Sequence, residues 1–287
     1  MPAKFEKEIV PPLGAFDGFD PKVMYQMVPV GEERAMAIVT DADECTAIVD
    51  PPGVAKMQKF VFTKPLLEVP RELRARITPQ NRFVFRIFGE KTGNTTIFLV
   101  DRQGKSFATL LVSVKSRISK TVSLCRLADM KRNCPWPANG LPSILADASR
   151  TFLQQANIEL KQHKTVFEVP VAANLGNPLF LDRGTGRNQI LTATPLDAFG
   201  ANFLVYFTWD LRSVTGEIVG QNFGIDCYAE FETDPNEQRL TTAHEIGHGL
   251  GLNHTGAKTL MAGDGNSRSS LLQQFEIDTI NKTDEAP

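Results

Sequence analysis

Three of the four histidines of this 287-residue chain lie within eleven consecutive residues, HEIGHGLGLNH, at positions 244–254. His244 and His248 are four residues apart, so on an α-helix their imidazole rings project from the same face, one turn apart. Two ring nitrogens then stand where a single metal ion can meet both. This segment restricts the fold more than any other, because the chain must form a helix here and keep both histidines on one side of it.

The predicted helix covers LTTAHEIGHGLGL at 240–252, with Thr241 or Thr242 as its N-cap. A helix that continued past Gly251 could not bring His254 to the same ion. Glycine tolerates the positive φ that ends a helix and turns the chain. Gly251 is therefore predicted to end the helix and to return His254 as a third ligand.

This ligand set favours a catalytic zinc site. Three neutral imidazoles, from His244, His248 and His254, leave one position of a tetrahedral zinc ion open to water, whereas a structural site is closed by four protein ligands. Glu245 follows the first ligand and lies beside the ion without having to bind it. From average residue usage the pattern HExxHxxGxxH arises by chance at roughly 10⁻⁸ per position, so a plain surface helix does not account for it. We therefore expect Zn²⁺ as a cofactor.

The composition excludes several classes of function. A net charge of −2 gives no long-range attraction to nucleic acid or to an anionic membrane. No apolar run approaches the ~20 residues that cross a bilayer. The N-terminal stretch MPAKFEKEIVPPLGAFDGFD lacks the apolar core of a secretory signal peptide. We expect secretion by a route that needs no such signal, with a cytoplasmic location as the alternative.

The chain changes character near residue 117, which predicts two domains after an N-terminal tail at 1–20. The domain at 21–117 is predicted to be a β-sandwich, because short runs rich in aromatic and β-branched residues are separated by turn residues. DRQG at 101–104 is predicted to join two of these strands as a hairpin. No ionisable cluster in this domain suggests chemistry, so a docking or spacer role is favoured. The clearest strand candidates are RFVFRIF (82–88), NTTIFLV (94–100) and SFATLLVSV (106–114).

The domain at 118–287 mixes strand and helix patterns, so the chain as a whole is predicted to be α+β. Its strand candidates are KTVSLCRLA (120–128), IELKQHKTVFEVPV (158–171), NFLVYFTWDL (202–211) and QNFGIDCYAEFE (221–232). Its other helix candidates are SILADASRTFLQQAN (143–157) and SSLLQQFEIDTINK (269–282), the second with a buried face that includes Phe275, Ile277 and Ile280. Cys125 and Cys134 are either a disulfide pair or two buried thiols. His163, alone in a predicted strand, is interpreted as structural.

HEIGHGLGLNH, followed by TLMAG at 259–263, resembles the metzincin clan of zinc endopeptidases. The resemblance covers the chain from about residue 118 to its end. It implies a twisted mixed sheet, an active-site helix, a methionine turn beneath the zinc ion and a C-terminal helix. It also implies that the three histidines bind zinc, that Glu245 is the general base, and that Gly251 and Met261 support the site.

Within the clan, the motif with Thr255 after its third histidine is most similar to matrixins. Other branches have glutamate, proline or aspartate at that position. Astacins and serralysins have a tyrosine two residues past the turn methionine, where this chain has Gly263. The histidine-rich structural zinc site of matrixins and their PRCGxPD switch are missing from the sequence. The resemblance therefore implies a minimal, divergent metzincin.

A second resemblance concerns the N-terminal domain. GEKTGNTTIFLVDRQGKSFATLLVSVK, at 89–115, resembles the last two strands of bacterial immunoglobulin-like domains. An immunoglobulin-like β-sandwich followed by a metzincin-type domain is therefore the expected architecture. By analogy the chain is expected to be a bacterial effector or toxin, whose N-terminal domain docks to a secretion apparatus or to a target.

The metzincin resemblance implies an endopeptidase that hydrolyses a protein or peptide substrate with a metal-activated water and Glu245 as base. It also implies that the substrate lies extended beside 221–231, and that AGDGN at 262–266 lines the pocket after the scissile bond. Gly224 is expected to let the peptide approach closely. Two alternatives stay open: a zinc amidase or endopeptidase that cuts cell-wall peptides, and a non-catalytic binding protein on the same fold.

Overall fold

A computed structural model describes the chain at residues 4–7, 19–20, 23–39, 45–60, 82–181, 185–213, 216–256, 258–263 and 268–282. The fold is mixed α+β, with more strands than helices. The chain divides into two compact units. One contains residues 1–117 with 155–157, and the other contains 118–154 with 158–287.

The N-terminal unit consists of two β-sheets around a shared apolar core. A four-stranded sheet has the order β1-β4-β7-β6, and a five-stranded sheet has the order β2-β3-β9-β8-β5. Met36 and Phe85 from the first sheet and Ile97 and Leu110 from the second belong to one buried cluster. The strands are β1 (Lys4–Lys7), β2 (Phe19–Asp20), β3 (Tyr25–Pro29), β4 (Glu33–Val39), β5 (Thr46–Asp50), β6 (Ala55–Phe60), β7 (Arg82–Gly89), β8 (Gly93–Val100) and β9 (Ser106–Lys115).

Two predictions for this unit concern the turn at 101–104 and the segment at 1–20. The hairpin at 101–104 is confirmed: β8 and β9 pair antiparallel, and the Asp101 side chain accepts hydrogen bonds from the backbone N–H groups of Gln103 and Lys105 at 2.9 and 3.0 Å. The segment interpreted as an N-terminal tail contains β1, which pairs with β4, and β2, which pairs with β3.

The C-terminal unit is built on a sheet with the order β11-β10-β14-β18-β17. In addition, β12 pairs with the C-terminal half of β10. All neighbouring strands in it are parallel except β17, the edge strand, which runs antiparallel to β18. Its strands are β10 (Ile118–Ala128), β11 (Ile158–Gln162), β12 (Phe167–Pro170), β14 (Phe203–Phe207), β17 (Gly220–Phe223) and β18 (Asp226–Ala229). A small separate sheet contains β13 (Leu179–Phe180), β15 (Leu211–Ser213) and β16 (Gly216–Ile218).

Burial explains why β14 forms the middle of this sheet. All five residues of β14, FLVYF, are buried, as expected for a parallel strand covered on both faces. The four described α-helices lie in this unit, apart from the last two residues of the first: α1 (Leu141–Ala156), α2 (Thr185–Ala193), α3 (Pro235–Gly249) and α4 (Gln274–Lys282).

The structure corrects three sequence predictions. The single strand predicted at 221–232 is a hairpin, β17 and β18, because Gly224 adopts φ +76° and its N–H is held by the Asn222 side chain at 2.9 Å. Gly224 thus forms the turn of the hairpin. The strand predicted at 158–171 is divided into β11 and β12, with Lys164 at φ +56° between them. Phe275, expected on the buried face of the last helix, is 53% exposed, whereas Ile277 and Ile280 are buried.

Two further observations concern the chain as a whole. None of the described helices is long and apolar enough to cross a membrane. All four cysteines are buried and none forms a disulfide, so Cys125 and Cys134 are two thiols.

Candidate metal centre

The helix that carries the histidine motif, α3, begins earlier than predicted. It starts at Pro235, after the N-cap Asp234, whose side chain accepts a hydrogen bond from Asn236 N–H at 2.8 Å. The predicted N-cap at Thr241 or Thr242 is therefore wrong. An aspartate followed by proline at the first helical position is itself a strong start signal, because the proline nitrogen needs no partner there.

The end of α3 follows from Gly251, as the sequence predicts. Gly251 has φ +92°, its N–H donates to the carbonyl of His248 at 2.9 Å, and Leu252 N–H donates to the carbonyl of Gly247 at 3.0 Å. This pair of hydrogen bonds is the Schellman arrangement of a helix C-terminus. It turns the chain so that His254 returns towards α3.

The three histidines converge on one point. The Nε2 atoms of His244, His248 and His254 lie 3.1–3.2 Å from one another. Donors arranged tetrahedrally around a zinc ion, at bonds of about 2.0–2.1 Å, stand about 3.3 Å apart. The triangle of nitrogens therefore has the size of one face of a zinc coordination tetrahedron.

Backbone carbonyls fix the orientation of two of these rings. His244 Nδ1 lies 2.7 Å from the carbonyl oxygen of Leu260, and His248 Nδ1 lies 2.8 Å from that of Leu252. In the neutral ring, an Nδ1–H that donates to a carbonyl leaves Nε2 with its lone pair free. Lone pairs of two rings then face each other at 3.1 Å, an arrangement that a cation between them would stabilise.

Burial keeps these imidazoles neutral. Desolvation lowers the pKa of His244 to about 3, and it is also the main cause that lowers the pKa of His248. A histidine must be neutral to bind a metal ion. Both rings are therefore in the ligand form at neutral pH.

Glu245 is enclosed beside the three nitrogens. Its side chain is 2% exposed, and its Oε2 has no hydrogen-bond partner among the described residues. Burial raises the pKa of Glu245 to about 8, against an opposing effect of the Arg268 guanidinium. A buried carboxyl oxygen without a partner is unfavourable in a folded protein unless a ligand or water completes it.

Three contacts of Glu245 could not be read from the sequence. A Cβ added to Gly220 would lie 2.3 Å from Glu245 Oε1, so the backbone of β17 covers the carboxyl group. The backbone carbonyl of Glu245 accepts hydrogen bonds from Asn222 Nδ2 at 3.2 Å and from Cys227 Sγ at 3.5 Å. These contacts come from tertiary pairing of α3 with the hairpin, for which the linear sequence carries no spacing signal.

Met261 lies under the helix. It is fully buried, and a Cβ added to Gly247 would meet its Sδ at 2.7 Å. Its carbonyl accepts a hydrogen bond from Thr255 N–H at 2.8 Å, which fixes the segment that follows His254. Met261 therefore stands beside the helical turn that presents His248.

The centre opens into a cleft of about 1010 Å³. Of the stretch predicted to line the pocket, Gly263 lines the cleft, Ala262 is buried, and 264–266 lie outside the described residues. His163 is not part of the site, since its Nε2 lies 3.1 Å from the carbonyl of Asp197. The cleft is lined by the three histidines and Glu245, by Gly220, Gln221 and Asn222 of β17, and by Asp210, Leu211, Arg212, Ile218, Val219, Glu230, Glu232, Glu237, Thr241, Gly251, Leu252, Asn253, Gly263 and Arg268.

Comparisons with known proteins add little to this geometry. No family model and no curated protein matches the chain. Solved structures similar to it include the surface layer protein SbsC, domains 1–6, at 14% identity and TM-score 0.23 over 32% of this chain and 12% of that chain. The solution structure of Amebosin is similar at 18% identity and TM-score 0.21 over 32% of this chain and 88% of that chain. At such TM-scores the likeness carries no conclusion about fold or function.

Proposed function

We propose that the protein is a zinc-dependent endopeptidase of metzincin type, with its catalytic machinery in residues 118–287. The observation that carries the proposal is the convergence of three histidine Nε2 atoms at 3.1–3.2 Å beside a buried glutamate whose Oε2 has no hydrogen-bond partner among the described residues. The order of the supporting elements agrees with it. A mostly parallel sheet with one antiparallel edge strand precedes α3, and the glycine turn, Met261 and α4 follow it.

Zinc held by the three imidazoles would polarise the scissile carbonyl and make a water molecule more acidic. Glu245 supplies the proton transfers: it accepts the proton of the attacking water and delivers it to the leaving amine. Its Oε2, which has no hydrogen-bond partner among the described residues, can accept the hydrogen bond of that water. A cation beside a buried carboxyl group favours the charged form, so metal binding opposes the effect of burial on the pKa of Glu245.

The edge strand β17 provides the place for the peptide. One edge of β17 pairs with β18, and β17 ends the described order of the sheet on the side of the cleft. An extended peptide can add to such an edge as a further strand, with its backbone held by hydrogen bonds. A peptide added in this way would have one of its bonds between β17 and the three histidines.

The N-terminal unit is proposed to be an immunoglobulin-like docking or spacer module. Two sheets with a shared core support this reading. Residues 1–117 contain no histidine, which leaves the proposed chemistry to the other unit.

The proposal is tested by protein cleavage with and without a chelator. We expect zinc-loaded protein to digest casein, and purified peptidoglycan serves as the parallel substrate for the cell-wall alternative. Glu245→Gln should keep its zinc and lose about 10²–10⁴ in rate, since glutamine cannot accept the proton. A Glu245→Gln form that cleaves at the wild-type rate would refute the assigned base.

Metal binding is tested separately at His248. His248→Ala should fail to retain one equivalent of zinc after dialysis, because two imidazoles cannot hold the ion as three do. His163→Ala is the matched control and should retain it, since His163 lies outside the cleft. Full zinc retention by His248→Ala would contradict the proposed ligand set.

A further inference from the structure

The charged residues that line the cleft are unequally divided. Apart from Glu245, the described lining contains four carboxylates and two guanidinium groups: Asp210, Glu230, Glu232 and Glu237 against Arg212 and Arg268. Arg212 lies 3.5 Å from Asp210, which partly neutralises that pair. The remaining three glutamates therefore outnumber the one remaining cation, Arg268.

The three glutamates are close enough to affect one another. Burial raises the pKa of Glu230 to about 7, and the negative charges of Asp210 and Glu232 add to the effect. The pKa of Glu232 is raised by burial and then by the charge of Glu237, and lowered by that of Arg268. Neighbouring carboxylates repel, and a cation placed among them relieves the repulsion.

Along α3, Glu237 is the first residue that lines the cleft. Glu237, Thr241 and Glu245 follow one another at intervals of four residues, so they share a face of α3. Glu237 precedes His244 by seven helical residues, which is about 10.5 Å along the helix axis. That distance is about three residues of extended peptide.

This end of the cleft is held in place by buried hydrogen bonds. Gln238 is fully buried, and its Oε1 accepts hydrogen bonds from Glu232 N–H at 2.8 Å and from Trp136 Nε1 at 2.6 Å. Trp136 also packs edge-on against Phe231, with ring centroids 5.6 Å apart. The backbone that carries Glu232 is therefore tied to the same helix that carries Glu237.

A second observation, separate from the acidic residues, favours a ligand in the cleft. Glu245 is 2% exposed and lines the cleft, and its Oε2 has no partner in the described part of the chain. The acidic end continues from this carboxyl group along α3. A ligand that contacts Glu245 and extends along α3 towards Glu237 stays within the cleft that Glu232 also lines.

We propose that the acidic end of the cleft, formed by Glu230, Glu232 and Glu237, binds a lysine or arginine side chain of the peptide substrate. This inference rests on the proposed peptidase function and names its substrate class. Antiparallel pairing is the commoner arrangement of added strands. A peptide antiparallel to β17 runs from Phe223 towards Gly220, which puts the basic residue on the C-terminal side of the scissile bond.

The test measures binding with zinc-loaded, full-length Glu245→Gln as the carrier. The probes are fluorescent decapeptides of one neutral sequence, with lysine, arginine, norleucine or glutamate at one of three positions on either side of the central bond. We expect lysine and arginine at one C-terminal-side position to bind about tenfold more tightly than norleucine, a ratio equal to about 1.4 kcal/mol. The preference should weaken as salt is added.

Glu232→Gln with Glu237→Gln, added to the carrier, should remove the preference for lysine over norleucine. Both changes are nearly isosteric, and circular dichroism with zinc content verifies that the fold is kept. Asp147→Asn on α1 is the matched control, because it removes an exposed carboxylate outside the cleft and should leave the preference intact. Equal binding of all peptides, or a preference that survives the double change, overturns the inference.

Cleavage of the same peptides by the wild-type protein separates the two proposals. Cleavage without any preference for basic peptides refutes the substrate class and leaves the peptidase function standing. A binding preference that depends on Glu232 and Glu237, together with no cleavage of any peptide, refutes the peptidase function and supports the acidic subsite.

Discussion

The carboxyl group of Glu245 depends on a residue that carries no side chain. Gly220 comes so close that a Cβ there would lie 2.3 Å from Oε1 and 2.6 Å from the carboxyl carbon. Both distances are far shorter than a van der Waals contact between non-bonded atoms. At this position glycine is required for space and not for its backbone angles.

Gly220→Ala is therefore expected to displace the Glu245 side chain and reduce kcat by at least about tenfold while zinc stays bound, because a shift of about 1 Å at a catalytic group has large effects on rate. Steady-state kinetics with metal analysis measures both. Gly140→Ala is the control: a Cβ there meets its nearest atom at 3.5 Å, an ordinary contact. Unchanged kcat in Gly220→Ala would contradict the close packing around Glu245.

Residue spacing predicted the convergence of the histidines but not the surroundings of Glu245. His244, His248 and His254 lie within eleven residues, so helix geometry and one glycine turn suffice to bring them together. Gly220 and Glu245 are 25 positions apart on different elements. Their contact arises when the hairpin packs on α3, and no local pattern encodes it.

At the scale of elements, the turn after α3 joins helix termination to the geometry of the proposed metal site. Gly251 at φ +92° closes the helix, and only then does His254 return to the other two ligands. A residue with a Cβ in this left-handed conformation costs about 1–2 kcal/mol.

Gly251→Ala should lower the free energy of unfolding of the zinc-free protein by about 1 kcal/mol and weaken zinc binding, because His254 moves with the turn. Chemical denaturation and zinc titration provide the two measurements. Asparagine tolerates the left-handed region better than alanine does, so Gly251→Asn should be affected less. Equal effects of alanine and asparagine would show that backbone conformation is not the cause.

The last helix, α4, contains a buried acid with a pH-dependent role. Glu276 is fully buried, and its Oε2 accepts a hydrogen bond from Gln273 N–H at 2.6 Å. Thr259 Oγ1 lies 3.4 Å from Glu276 Oε1 and 2.9 Å from Thr255 Oγ1, which links α4 to the segment after His254. Burial raises the pKa of Glu276 to about 7.

An acid whose pKa is higher in the folded state holds its proton longer there than in the unfolded chain. As pH rises from the unfolded value of about 4.3 through about 7, the unfolded state releases the proton first, so the folded state loses stability. Glu276→Gln removes this loss. We expect the free energy of unfolding of the zinc-free variant to rise relative to wild type between pH 5 and 7.5, measured by urea denaturation. A pH-independent difference between the two proteins would contradict the raised pKa.

Elements were predictable where the sequence pattern is local. The hairpin at 101–104 follows from turn residues between two apolar runs, and it is confirmed. In the run at 221–232, apolar residues continue on both sides of Gly224. The hydrophobic pattern therefore predicts a single strand there. Its division at Gly224 depends on the Asn222 side chain holding the turn, which hydrophobic periodicity does not register.

At the scale of the whole molecule, every described residue that lines the cleft belongs to the C-terminal unit. Each unit also has its own buried apolar cluster. A unit with its own core can fold independently.

A fragment of residues 118–287 is therefore expected to bind one zinc ion and to cleave a short unstructured peptide within about twofold of the full-length rate, since neither ligands nor base are lost. Cleavage of a large native protein is measured separately, because the N-terminal unit, as the proposed docking module, would contribute to binding such a substrate. A soluble, zinc-loaded fragment that is inactive on short peptides would contradict the division of roles between the units.

The three ligands that converge after the Gly251 turn all come from one short stretch of chain. An ion bound at His244 and His254 closes a loop of only about ten residues, and the entropy lost on closing a short loop is small even when the rest of the chain is unfolded. If zinc is the bound ion, as proposed, we expect the unfolded protein to keep some affinity for it, which would subtract from the stability that the metal adds to the native state. The proposed ion could then be captured while the sheet is still forming, and zinc would act early in folding as a local organiser of α3 and its turn.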